Sequence, residues 1–219
     1  MKYKPTTKQE LKVLVNDLST INLGDIDTSL ITDMRRLFEN SNRTDFSGIE
    51  NWNVSNVTDM SFMFYKAKNF NADLSRWDVR NVEYMDFMFY KAKKFNQPIG
   101  NWNVSNVTHM CGMFFKAKKF NQPIGNWNVS NVTHMCEMFF KAKKFNQPLN
   151  DWNVSSVITM GSMFWGAQNF NQPLDKWNIS NVRDIGSMFY EAEAFNQDLS
   201  SWDLSKVVNK EHMFNYSEK

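Results

Sequence analysis

Ile99-Gly100-Asn101-Trp102-Asn103-Val104-Ser105-Asn106-Val107-Thr108-His109-Met110-Cys111-Gly112-Met113-Phe114-Phe115-Lys116-Ala117-Lys118-Lys119-Phe120 is followed, from Ile124 to Phe145, by the same residues in the same order, except that Glu137 replaces Gly112. Working outward, Trp recurs at Trp52, Trp77, Trp102, Trp127, Trp152, Trp177 and Trp202, always 25 residues apart, and Trp165 alone is off this register. A Met-Phe pair keeps the same period from Met63-Phe64 to Met213-Phe214, and Asn follows Phe from Phe70-Asn71 to Phe195-Asn196. Upstream the pattern continues in degraded form. Leu23 to Met34 aligns with Ile99 to Met110, Ile26 takes the Trp place and Leu37-Phe38 the Met-Phe place, and one extra residue before Ile49 lengthens that step to 26. About eight units result. A fixed period of this length is the signature of a stacked repeat, and it overrides the domain count that 219 residues alone would suggest.

The spacing inside one unit changes partway along. Trp102 and Val104 alternate with Asn101, Asn103 and Ser105, which predicts a short strand. From Val107 through Met110, Met113-Phe114 and Ala117 the apolar residues fall three or four apart, which predicts a short helix. A Phe-Asn-Gln-Pro turn leads into the next unit. A strand–turn–short-helix unit of this size cannot close a core alone; the units above and below must cover its apolar stripe. The expected fold is therefore an α/β repeat solenoid with ladders of Trp, Met and Phe inside. The Asn after each Phe is expected to form a buried ladder that satisfies loop backbone.

The ends read as caps. Thr7-Lys8-Gln9-Glu10 has the form of a capping box, and Leu11, Val13, Leu14 and Leu18 predict an amphipathic helix of about twelve residues. Residues 1–22 are thus a capping helix and lead-in, 23–215 a single solenoid, and 216–219 a tail. Lys210 stands in the register of Met60, Met85, Met110, Met135 and Met160, so the last unit is expected to be only half buried.

Apolar residues make up 42% of the chain and aromatics 15%, enough for a continuous core. The formal charge is only +2, so charge distribution says more than its sum. No stretch approaches the roughly 18 apolar residues of a membrane helix, and the basic start, Met1 to Lys8, lacks an export signal.

The run Trp102-Asn-Val-Ser-Asn-Val-Thr-His-Met-Cys-Gly-Met-Phe-Phe-Lys-Ala-Lys-Lys-Phe-Asn-Gln-Pro resembles the BspA-like leucine-rich-repeat surface proteins, in particular the branch shared with mycoplasma-type surface lipoproteins. Lys8-Gln9-Glu10-Leu11 followed by Leu23-Gly24-Asp25-Ile26-Asp27-Thr28-Ser29 is similar to that family's usual start, so the resemblance covers essentially the whole chain. It implies a leucine-rich-repeat-like solenoid with Leu/Ile-x-x-Trp-x-Val as the strand. It also implies a surface or secreted protein engaged in adhesion or host-factor binding, with no shared catalytic residues. The missing export signal leaves a cytoplasmic protein-interaction scaffold as the alternative.

Lysine is the most informative functional residue. Lys66, Lys91, Lys116 and Lys141 share one register, Lys68, Lys93, Lys118 and Lys143 a second, and Lys94, Lys119 and Lys144 a third. Gly166, Gln168, Glu191 and Glu193 replace the first two registers in the next two units, so the ridge stops. A solvated helix end accounts for such a ridge; so does a binding surface for a polyanion such as a heparin-like glycan, anionic lipid headgroups or nucleic acid. Nucleic acid is the less favoured of these, because no nucleic-acid motif accompanies the lysines and the aromatics fall in core register. A second candidate surface is the strand face pointing away from the core, Asn53, Asp78, Asn103, Asn128, Asn153, Asn178 and Asp203, expected as a concave strip for a peptide or glycan. A protein or glycan is accordingly the expected partner.

His109-Met110-Cys111 and His134-Met135-Cys136 recur one unit apart, but their spacing is not that of a zinc site and both arose in duplicated units. Pairing of Cys111 with Cys136 is open at this point and would require export. Three His, no nucleophile–base pair and no phosphate loop give no basis for an enzyme, a cofactor or a metal.

Overall fold

The computed structural model describes residues 1–18 and 20–214; the expected tail, 216–219, lies outside them. Among the described residues the only α-helix is α1, Lys8–Asn16, and 3₁₀ turns follow at Leu23–Asp25 and Ile49–Asn51. The capping box forms as read: the Thr7 side chain accepts from the Glu10 amide and the Glu10 carboxylate accepts from the Thr7 amide. The helix is shorter than twelve residues, and its buried face is Leu11 and Val15. Val13 and Leu18 are exposed at 72% and 57%. Arg43 closes its far end by donating to the carbonyls of Val15 (3.2 Å) and Asp17 (2.7 Å), which the helix itself leaves without partners.

From Asp33 onward, single parallel bridges join each unit to the next: Asp33 to Asp59, then Tyr84, His109, His134, Thr159, Asp184 and Asn209 in series. The bridge falls just before the register of Met34, Met60, Met85, Met110, Met135 and Met160, which Ile185 and Lys210 occupy in the last two units. It does not fall at Trp-x-Val, which carries no strand, so the predicted strand is misplaced by several residues. The predicted short helix is also absent. Residues 110–117 form overlapping turns in which alternate amides point in two directions. Met110, Gly112, Phe114 and Lys116 donate to the carbonyls of His134, Cys136, Met138 and Phe140 in the next unit, at 2.7–2.9 Å. Met113, Phe115 and Ala117 donate back within their own unit to Met110, Gly112 and Phe114.

Left-handed backbone makes this alternation possible. Phe62, Phe87, Gly112, Glu137, Ser162, Ser187 and His212 have positive φ, as do Lys66, Lys91, Lys116, Lys141, Gly166 and Glu191 four residues later. In the turns 110–113 and 114–117 these residues occupy the third position, where a type II turn requires positive φ. A helix cannot pass through such residues, so the three- and four-residue apolar spacing here comes from successive turns.

The core columns are where the period places them. Trp52 to Trp202 are 2–7% exposed, and the repeated Met, Phe and Ala residues from Met60 to Met188 are essentially buried. Each buried large side chain contributes roughly 1.5–3 kcal/mol. Each Trp indole also donates to a Leu or Ile carbonyl of the preceding unit, from Trp52 to Leu23 (2.8 Å) through Trp202 to Leu174 (2.9 Å). The Asn ladder forms, although it is half-buried or exposed. The side-chain oxygens of Asn71, Asn96, Asn121, Asn146 and Asn171 each accept from the backbone amide of the next Asn in the column, at 2.9 Å. Equivalent rings are 4.3–4.5 Å apart on the bridged side (Tyr65–Tyr90, Phe115–Phe140, His109–His134) and 6.3–6.5 Å apart along the Trp column. The operation relating one unit to the next therefore pivots near the bridged side. At the far end Lys210 is exposed, and core-register Leu204 and Phe214 are exposed at 39% and 52%.

Candidate functional site

The lysine columns rise from the bridged side. Lys66, Lys91, Lys116 and Lys141 are the left-handed residues of their turns, with φ between 51° and 56°, and their amides donate to the carbonyls of Tyr90, Phe115, Phe140 and Trp165. The backbone of this column is thus part of the inter-unit ladder, and its side chains leave at a fixed angle. They lie over an outer aromatic column of Tyr65, Tyr90, Phe115 and Phe140, with ammonium-to-ring distances of 4.9–5.8 Å. Neighbouring rings of that column stack face to face at 4.3–4.4 Å, and the off-register Trp165 continues it with a tilted ring.

Two residues on, Lys68, Lys93, Lys118 and Lys143 form a second, exposed column. The two columns wall a groove of about 510 Å³ lined by these eight lysines. Lys94, Lys119 and Lys144 are exposed beside it, and Lys94 donates to Asn69 at 3.2 Å. Among the described residues, Lys141 is the only one of the eleven lysines in an ion pair. Its ammonium reaches Glu191, two units away, at 3.0 Å. Gly166 lets it pass, since a Cβ there would stand 2.7 Å from Lys141 Cγ. The hydrogen bond from Lys141 holds the Glu191 carboxyl below its ordinary range. Gln168 bonds Glu193 at 2.7 Å beside this pair. The groove thus ends at a built stop.

The second predicted surface is not a free strip. The side-chain oxygens of Asn53, Asn103, Asn128, Asn153, Asn178 and Asp203 accept from the amides two residues on, at 2.9–3.2 Å, and Asp78 binds the Arg80 amide and guanidinium. These are Asx turns. No strand runs through them, and they border the Trp columns, where the units are widest apart. The expectation of a concave strand face is therefore corrected: these residues fix local backbone on the wider side of the stack.

Cys111 and Cys136 form a disulfide between adjacent units, with Cα atoms 4.7 Å apart. His109 and His134 stack beside them at 4.5 Å, each with Nδ1 2.8 Å from a neighbouring Thr hydroxyl. Among the described residues no group of three or more His, Cys, Asp or Glu has the geometry to hold a metal. The lysine columns were found from sequence; the aromatic column beneath them and the Lys141–Glu191 stop were not. Gly166, standing at a lysine position just where the ridge ends, was the available signal for the stop.

A tandem repeat with a lysine-lined groove on its bridged side is the class of protein that these features define. The chain belongs to the family described as Mycoplasma protein of unknown function, DUF285, whose model matches residues 9–125 and 108–219. No curated protein and no solved structure matches it. No helix of the described residues is long and apolar enough to cross a membrane.

Proposed function

We propose that this chain is a non-enzymatic binding module of the BspA-like type, a leucine-rich-repeat-like solenoid that serves adhesion or host-factor binding through the lysine-bearing face. The supporting observation is the contrast between columns. Trp, Met, Phe and Asn recur along the stack and are engaged between units; the lysines recur in four units only, and among the described residues all but two of the eleven have neither an ion-pair nor a hydrogen-bond partner for the ammonium. Charges held in parallel rows without partners repel one another, and a ligand of opposite sign offsets that cost. The Cys111–Cys136 disulfide supports a surface or secreted location over a cytoplasmic one, because such bonds persist in oxidising compartments. A solid-phase screen of the disulfide-bonded protein against extracellular-matrix proteins and glycans tests the reading. Saturable binding to at least one of them is expected, and a screen with no saturable ligand overturns it.

A further inference from the structure

We infer that the groove between the two lysine columns is a site for a linear acidic polysaccharide, laid along the stack with about one sugar residue per unit. The inference rests on the binding-module reading and names its ligand.

The shape of the site selects a chain over a plane. The groove is sunk between Lys66, Lys91, Lys116 and Lys141 on one wall and Lys68, Lys93, Lys118 and Lys143 on the other. A membrane surface would meet only the rims. Among the described residues none of the exposed large apolar side chains, which include Leu18, Ile158, Val208 and Phe214, belongs to the lysine registers or lines the groove, so the groove itself carries nothing to insert into lipid.

The lining selects against nucleic acid. Tyr65, Tyr90, Phe115 and Phe140 spend their ring faces on one another, and Tyr90, Phe115 and Phe140 are half-buried or buried. The groove's lining offers no aromatic ring for a base to stack on, and no arginine stands in either wall to grip phosphate with a planar fork.

The step selects against an acidic peptide. Adjacent units are 4.7 Å apart at Cys111 and Cys136, so four units set first and last lysines of a column about 14 Å apart. An extended peptide presents side chains to one face every ~6.6 Å and drifts out of register with that step. A pyranose advances a polysaccharide by about one step, so its sulfate or carboxylate groups can meet a lysine pair at each unit. Lysine stems offer the apolar surface on which sugar C–H groups settle. The Lys141–Glu191 pair places an acid where a fifth anionic sugar would lie, which limits the footprint to four units.

The test uses the disulfide-bonded chain, with size-defined heparin and hyaluronan oligosaccharides, oligo-deoxythymidine of matched charge, and phosphatidylserine vesicles as probes at one ionic strength. Binding of heparin oligosaccharides is expected to strengthen with length up to about four sugars and then level off. Lys93→Glu with Lys118→Glu should weaken it roughly tenfold or more. Lys206→Glu with Lys210→Glu, which changes net charge equally, should leave it within about twofold. Lys93→Arg with Lys118→Arg should retain binding, and circular dichroism verifies that every variant is folded. Binding of hyaluronan alongside heparin assigns recognition to carboxylate as well as sulfate; heparin alone assigns it to sulfate. Equal or tighter binding of the oligonucleotide or vesicles, or indifference to the Lys93/Lys118 reversal, overturns the inference. A saturable protein ligand found by the screen and weakened by that reversal, with no binding of the heparin or hyaluronan oligosaccharides, would leave the module reading standing and remove this one.

Discussion

The indole Nε1 of Trp127 donates a 3.0 Å hydrogen bond to the carbonyl oxygen of Ile99, one unit earlier in the chain. The same carbonyl accepts the backbone amide of Trp102 at 3.1 Å. One oxygen thus closes a turn in its own unit and holds the next unit in place, and the arrangement recurs down the column.

Trp127→Ala removes both the ring from a buried column and this inter-unit bond. It is expected to cost about 3–5 kcal/mol. Trp127→Phe keeps most of the apolar volume and leaves the Ile99 carbonyl bonded to Trp102, so about 1–3 kcal/mol is expected. Chemical denaturation of both variants measures the difference; equal losses would mean that the ring volume contributes nothing beyond the indole bond, which both variants lack.

The single difference between the duplicated units has a structural reason. Gly112 sits at positive φ beneath the Phe87 ring, and a Cβ there would collide with that ring. Gly112→Glu, which makes the two units identical, should therefore destabilise the chain by about 1–3 kcal/mol. Glu137→Gly makes them identical in the other direction. It frees a left-handed position from a side chain whose carboxyl burial pushes up, and should be neutral or stabilising by up to about 1 kcal/mol. Paired thermal melts with opposite signs are the expected result.

The period, the buried Trp, Met and Phe columns, the Asn ladder and the capping box were legible in the sequence because each is a repeated side-chain choice. Backbone direction was not. Phe62, Lys66 and Phe87 are residues that seldom take positive φ, so nothing in their identity announces a chain of turns, and the apolar spacing of three and four imitates a helix. Gly112 and Gly166 were the trace of it: each replaces a different residue at one of the two left-handed registers. The local role of the Asn53 series was hidden for a related reason. A surface Asn two residues before Ser reads equally as a ligand contact or an Asx turn, and the latter has a local partner already in reach.

Burial pushes the Asp86 carboxyl above its ordinary 3.8, while the Cys111 amide and the nearby His109 and His134 pull it down. The folded chain therefore keeps a proton over a pH interval in which the unfolded chain has lost it. Stability from this group is fully present below the ordinary value and declines as pH rises through the folded one. Asp86→Asn removes that dependence. Melting temperatures from about pH 3 to about pH 6 should show the wild type losing ground to the variant as pH rises. A gap that stays constant contradicts the assignment.

The Cys111–Cys136 bond closes a 25-residue loop between neighbouring units. Reduction, or Cys111→Ser with Cys136→Ser, should lower stability by about 3–4 kcal/mol through the unfolded chain. A reductant that leaves the melting temperature of the wild type unchanged would show the bond to be without effect.

The account holds that the lysine rows are kept at some expense to stability and serve a ligand rather than the stack. Thermal unfolding of the Lys93→Glu, Lys143→Glu variant at low salt tests this most directly, because the exposed column then alternates in sign from Lys68 to Lys143. The melting temperature is predicted to stay level or rise by a few degrees as repulsion turns to attraction. A fall of several degrees would make these lysines part of what holds the units together and contradict the account.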